Sequence, residues 1–212
     1  MTSTNITVRI RFSKLKALRF IGHLDFLRVF QQMIRRAELP VAYSQGFNPH
    51  ILLSFALPLP LGMESVNDYV DLSLETEMPH EEMMDRLNKS APDGLIVTGV
   101  KLAEGRAAAI AAIADYSFDE DIAQEILDKT LNATEIIVPK KTKSGIKNAD
   151  IRPDILNLSK DGEKTIFRLS AGSARFLNPL IVAEYLMGSP QSASKLARLE
   201  LYKATDDGII PL

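Results

Sequence analysis

Between residues 6 and 37 the apolar side chains change their period once, and that change sets the fold class. Ile6, Val8, Ile10 and Phe12 alternate with Thr7, Arg9 and Arg11, the two-residue period of a strand with one buried face. The alternation resumes at Leu18 and Phe20 after a basic break. From Leu24 the spacing becomes three and four, through Leu27, Phe30, Ile34 and Ala37, with Phe26 and Met33 beside them. This is the stripe of an amphipathic helix. Asp25 sits in its first turn, where the dipole favours an acid, and Pro40 follows its end. A half-apolar strand next to a half-apolar helix implies a sheet with helices packed against it.

The same reading extends along the chain. Residues 44–50 hold the turn formers Gly46 and Asn48-Pro49, after which Ile51, Leu53, Phe55 and Leu57 alternate as a second strand. Residues 57–62, LPLPLG, form a stiff connector, because proline fixes φ and removes a donor. Val70, Leu72 and Leu74 mark a third strand, residues 80–90 an acidic helix, and Leu95 to Val100 a fourth strand. The order β-α-β-β-α-β is the ferredoxin-like unit. An Ala-rich connector at 104–112 precedes what reads as a second unit. There Ala112 to Phe118 alternate, Ser117 and Glu120 offer a capping box for a helix at 119–131, and Glu135 to Val138 reads as a strand. Ile155–Leu158 and Thr165–Ser170 flank a turn, and Leu196 to Tyr202 supply the last strand. Asn178, Pro179 and Gly188 bracket a helix as N-cap, N1 and C′. The expected architecture is therefore α+β: two tandem ferredoxin-like halves with antiparallel sheets, residues 1–103 and 104–212, joined near residue 108.

Composition excludes several chemistries. Hydrophobic residues make up 46% and charged residues 25% of the 212, ordinary globular values. No apolar run approaches the roughly 20 residues that cross a bilayer, and the N-terminus alternates where a signal peptide would be uniformly apolar. No membrane association and a cytoplasmic location are expected. The chain has no cysteine, which removes thiolate-held iron–sulfur clusters and thiol redox chemistry. The only histidines are His23, His50 and His80. No Walker or dinucleotide-binding glycine motif occurs. No cofactor and no metal are expected.

Charge is segregated. Before residue 41 there are eight basic side chains against Asp25 and Glu38, and from Glu64 to Asp93 nine acids against Arg86 and Lys89. A second basic cluster runs from Lys140 to Arg152. Such asymmetry points to a surface with one basic side, or equally to solvated faces. Three segments can carry function. Gly22-His23-Leu24-Asp25 opens a helix, with His23 titratable near neutrality and Arg28 one turn on; helix capping by His23 is the bland alternative. The turn at 44–50 presents Gln45, Phe47, Asn48 and His50, with Phe47 either available to stack on a base or folded over the core. Lys140, Lys141, Lys143, Lys147 and Arg152 form a flexible basic loop suited to phosphate contacts, or a solvated hairpin tip.

Two of these segments also carry a resemblance. FIGHLDFLRVFQQMIRRAELPVAYSQGFNPHILLSFALPLPLGMES, residues 20–65, resembles the signature of the radical SAM-linked proteins, and KTKSGIKNADIRPDI, residues 141–155, resembles that family's second recognisable stretch. The family is bacterial and is defined by a domain of uncharacterised function. The domain is either fused to the C-terminal side of a radical SAM protein or encoded near one, and this chain resembles the separate form. Frequent gene neighbours are a ribonuclease of the E/G type and ribosomal proteins. The resemblance implies a radical SAM protein as partner and RNA or a ribosome-associated substrate. The leading expectation is a non-catalytic RNA-binding or substrate-presenting accessory subunit. One alternative is a metal-independent RNA endonuclease, broadly similar to CRISPR RNA-processing enzymes, with His23 as general acid or base and Lys143 or Arg152 stabilising the phosphorane. Another is a protein–protein adaptor without RNA affinity, with LPLPLG as an interface.

Overall fold

The computed structural model describes residues 6–142 and 145–212, and in it the opening alternation becomes β1 (Ile6–Lys14). Val8, Ile10 and Phe12 are buried beneath α1 (His23–Arg36) and α2 (His80–Ser90). Phe12 meets the rings of Phe26, Phe30 and Phe55 at centroid distances of 5.8, 5.0 and 5.9 Å. The Phe30 and Phe55 contacts are edge-to-face, and such pairs add to what burial alone supplies, which is about 1.5–3 kcal/mol per large side chain.

The molecule is a mixed α/β protein with a large, mostly antiparallel sheet and five α-helices among the described residues. Its remaining elements are β2 (Leu53–Phe55), β3 (Glu64–Leu74), β4 (Leu95–Leu102), α3 (Ala107–Ile110), β5 (Ala111–Phe118), α4 (Gln124–Asn132), β6 (Ile137–Thr142), β7 (Gly145–Asp150), β8 (Ile155–Asp161), β9 (Lys164–Ser170), α5 (Pro179–Met187), β10 (Leu196–Thr205) and β11 (Gly208–Pro211). The main sheet has nine strands in the order β4-β1-β3-β10-β5-β9-β8, with β2 on β3 and β11 on β10. One edge of β3 is divided. Its residues 70–72 pair with β2, while Glu64 and Ser65 pair in parallel with Ala197 and Arg198 of β10. That two-residue step joins β4-β1-β3 to β10-β5-β9-β8 in one sheet. Two hydrophobic clusters lie along it, one around Phe12, Phe30 and Leu72, the other around Tyr116, Phe118, Phe167 and Val182.

Several elements depart from the sequence expectation. Leu18 and Phe20 lie in a 3-10 turn, Lys16–Phe20, because Lys16 adopts a positive φ of 56° that breaks the strand. The second strand is confined to Leu53–Phe55. The helix expected at 119–131 begins at Gln124, without a capping side chain. Thr165 explains the delay: its hydroxyl donates to the Glu120 carbonyl at 2.8 Å and accepts from the Ile122 amide at 3.3 Å, holding residues 120–122 against β9. The basic segment expected as a loop, and the strand expected at Glu135 to Val138, become a separate two-stranded hairpin of β6 and β7.

Three of the eight basic side chains of the N-terminal segment pair with acids of the 64–93 segment. Arg9 pairs with Asp71 at 2.8 Å, Lys16 with Asp93 at 2.8 Å and Arg19 with Glu64 at 3.2 Å. Basic β1 and acidic β3 are neighbours, so opposite charges meet directly across the ladder. No helix among the described residues is long and apolar enough to cross a membrane.

Candidate functional site

Gly22 is the N-cap of α1, and His23 begins the helix with its ring edge-on to Phe55 at 5.5 Å. The ring is exposed on its other side, and it borders a recess that also holds Lys14 and Asp68, walled by Phe26, Phe55, Leu57 and Leu59. Lys14 continues the inward positions of β1 and is buried; its ammonium donates to the Ile21 carbonyl at 3.1 Å and lies 4.7 Å from the Phe26 ring. Burial pushes the Lys14 amine below the usual lysine range; nearby Asp68 opposes this and Arg198 adds to it. Burial likewise pushes Asp68 up, against the pull of Arg198.

Arg198 sits where β10 meets β3. It is fully buried, donates to Asp68, and reaches the carbonyls of Leu57 and Pro58 at 3.0 and 3.4 Å. The stiff LPLPL segment is thus held over the recess by a residue of β10. Burying a charge is costly unless its donors find partners; here an acid and two proline-segment carbonyls serve the terminal nitrogens, while Nε is buried without a partner among the described residues. The free volume of the recess is about 10 Å3, room for one water. No nucleotide fits inside, so only the exposed ring of His23 at the rim is open to a ligand. Lys143, expected as one partner of His23, lies outside the described residues. Arg152, the other, sits beside β8, donating to the carbonyls of Ile155 and Leu131. Sequence reasoning passed over Lys14, Asp68 and Arg198, although each continues an apolar alternation at an inward position.

The turn at 44–50 is a closed loop. The Ser44 amide donates to the His50 carbonyl at 2.9 Å, the His50 amide to the Ser44 hydroxyl at 3.1 Å, and Ser44 Oγ lies 2.8 Å from His50 Nδ1. A bridge between Tyr43 and Ile51 closes its base. Gly46, at φ +123°, supplies a conformation other residues rarely adopt. At the tip Phe47 is exposed to 111% of its reference area, so it is not folded over the core. Gln45 and Asn48 beside it are exposed and form no hydrogen bond among the described residues.

The other expected site residues are dispersed. Arg28 is paired with Asp25 at 2.8 Å on the exposed face of α1, so its charge is already matched. Lys140 faces Lys147 across the β6–β7 hairpin, and Lys141 faces Ile146; Lys147 is exposed, and only the backbone of Lys140 and Lys141 is described. Arg152 is a clamp at the hairpin base, not part of its basic surface. Asp150 accepts the amides of Ile136 and Arg152 at 2.8 and 3.0 Å, which hold its carboxyl below the usual range. The structure therefore brings Gln45, Phe47, Asn48 and His50 together, and separates them in sequence and fold from the lysine hairpin. Among the described residues no cluster of three or more His, Asp or Glu side chains is arranged to hold a metal ion.

A family model described as an uncharacterised protein conserved in bacteria matches residues 7–179. No curated protein matches the chain.

Proposed function

We propose a function for this chain from one premise: it belongs to the family of uncharacterised proteins conserved in bacteria designated DUF2344. Our reading is a non-catalytic, RNA-binding or substrate-presenting accessory subunit that serves a radical SAM enzyme acting on RNA or a ribosome-associated substrate in the cytoplasm. The radical SAM link rests on the resemblance of residues 20–65 and 141–155. The observation that carries the RNA reading is Phe47, wholly exposed at the tip of a loop that hydrogen bonds hold in shape. Such an aromatic stacks on an unpaired base with about 1–3 kcal/mol. The Lys140/Lys147 hairpin supports it as a sequence-independent phosphate contact. We read the two halves as ferredoxin-like units. The first has strand order β4-β1-β3-β2 and the second β10-β5-β9-β8, each with two intervening helices.

The test is a salt series of binding to total cellular RNA and tRNA by wild type, Phe47→Ala and a Lys140/Lys141/Lys143/Lys147→Ala variant. The expected result is micromolar or tighter binding that falls steeply with salt and weakens in both variants. Absence of binding at moderate salt in the wild type overturns the RNA reading. A second reading, a protein adaptor, is favoured by Phe20, Leu24 and Leu61, exposed to 63%, 68% and 62%. Phe20 and Leu61 lie beside the Arg19–Gly62 contact, whose backbone hydrogen bond is 2.8 Å. Capture of a co-expressed radical SAM protein by the wild type and not by a Phe20/Leu61→Ser variant, without RNA affinity, would select it.

A further inference from the structure

A cleft of about 540 Å3 lies on the sheet face opposite α1 and α2, bounded by the connector between the halves. Thr7, Asp71 and Ser73 form its floor, since they alternate with the core residues Val8, Val70, Leu72 and Leu74 and so point away from the helices. Ser54 of β2 and Arg106 of the connector line its sides. The floor is rigid. Arg9 grips Asp71 through two bonds of 2.8 and 3.2 Å and donates to the Gly105 carbonyl at 2.8 Å. The Ala107 amide donates to Asp71 at 2.6 Å. These contacts neutralise Asp71 and fix the connector over the sheet.

Two of the remaining polar groups are unmatched, and the other two are matched only to each other by a long hydrogen bond. Thr7 and Ser73 hydroxyls lie 3.4 Å apart. The Ser54 hydroxyl and the Arg106 guanidinium have no hydrogen-bond or ionic partner among the described residues. Glu104, the nearest acid on the connector, is paired with Lys203 at 3.0 Å. With Arg9 and Asp71 cancelling, the cleft carries the net positive charge of Arg106. We infer that it binds a hydroxyl-bearing phosphate ester of nucleotide size. Arg106 and Ser54 hold the phosphate, and Thr7 and Ser73 hydrogen-bond the ligand's hydroxyls. A guanidinium matches phosphate geometry, and ligand cavities of roughly 300–1,000 Å3 accommodate a nucleotide. The phosphate belongs either to a free nucleotide or to one nucleotide of a strand; only the second source rests on the RNA reading above.

Calorimetric titration separates these. The probes are adenosine 5′-monophosphate, inorganic phosphate and an eight-nucleotide single-stranded RNA, added to wild type, Arg106→Ala, Ser54→Ala and Phe47→Ala. Arg106 is exposed, so its variant keeps the fold, which circular dichroism checks. Loss of a charged hydrogen bond predicts binding weaker by about tenfold or more in Arg106→Ala. Mononucleotide binding with that loss identifies a free nucleotide as sufficient. Binding of the oligomer alone, with the same loss, identifies a strand. Oligomer binding that weakens in Phe47→Ala and is unchanged in Arg106→Ala overturns the cleft while leaving the RNA reading standing. Mononucleotide binding with no oligomer binding does the reverse. No binding of any probe to wild type overturns the cleft.

Discussion

Replacing Arg198 by methionine should cost about 3–5 kcal/mol of stability, the range for removing one member of a buried ion pair. Arg198 is fully buried and Asp68 nearly so. Without the guanidinium, Asp68 keeps the Tyr69 amide at 2.9 Å as its hydrogen bond, and the carbonyls of Leu57 and Pro58 lose their donor. Each uncompensated buried group adds about 1–3 kcal/mol taken alone, but the groups share one cavity and their effects do not add. Chemical denaturation at neutral pH measures the loss. The double variant Arg198→Met/Asp68→Leu should recover most of it, because exchanging a whole buried pair for apolar groups is near neutral. Arg198 also anchors the segment bordering His23, so the single variant should shift the His23 ring resonances by NMR. A single-variant loss below about 1 kcal/mol, the level of an exposed pair, or a double variant no more stable than the single, would refute the reasoning.

Other consequences can be checked separately. Arg9→Gln should free the connector from the sheet, visible as faster proteolysis at 103–110 with native secondary structure retained, because Arg9 holds both Asp71 and the Gly105 carbonyl. The Tyr202 hydroxyl is pushed up to about 12 by burial and by its donation to Asp115 at 2.9 Å. Its folded-state value is raised, so its contribution to stability is complete below the ordinary value of 10.0 and is lost as pH climbs toward 12. In a spectroscopic titration, Tyr202→Phe should delete one late-ionising tyrosine. Phe47→Ala should leave stability within about 0.5 kcal/mol of wild type, as for an exposed side chain away from structural features, so that any change in nucleic-acid binding is a change in contact.

The elements with the cleanest signals were legible from sequence. The acidic helix at 80–90 and the Asn178/Pro179/Gly188 bracket occur where expected, with the Asn178 side chain accepting from the Leu180 amide at 3.1 Å and Gly188 left-handed at φ 64°. Local capping chemistry decided those ends. At Ser117 and Glu120 the same pattern misled, because a distant hydroxyl, Thr165, captured the backbone first. The tertiary pairing of β3 with β10 had no local signal at all, since it joins residues 64–65 to 197–198. Of the site, the closed loop around Phe47 was readable from its turn formers. The recess was not read, yet Lys14, Asp68 and Arg198 each stand where an apolar residue belongs in an inward series: after Phe12, before Val70, and after Leu196. A charge at an inward strand position implies a partner at another, and three such positions meeting at one point was the available clue.

The place of β10 in the sheet has a consequence for how the protein is made. It lies at the centre of the strand order, between β3 and β5, yet it is synthesised after every other strand of that path. During translation, the β10-facing edges of residues 64–65 of β3 and of β5 must wait, open, for a partner more than 75 residues downstream of β5. Contacts of such long sequence separation close slowly, and open strand edges invite pairing with other chains. Nascent chains stalled before residue 196 should therefore be the aggregation-prone species, and the arrival of Arg198 should be what ends that exposure.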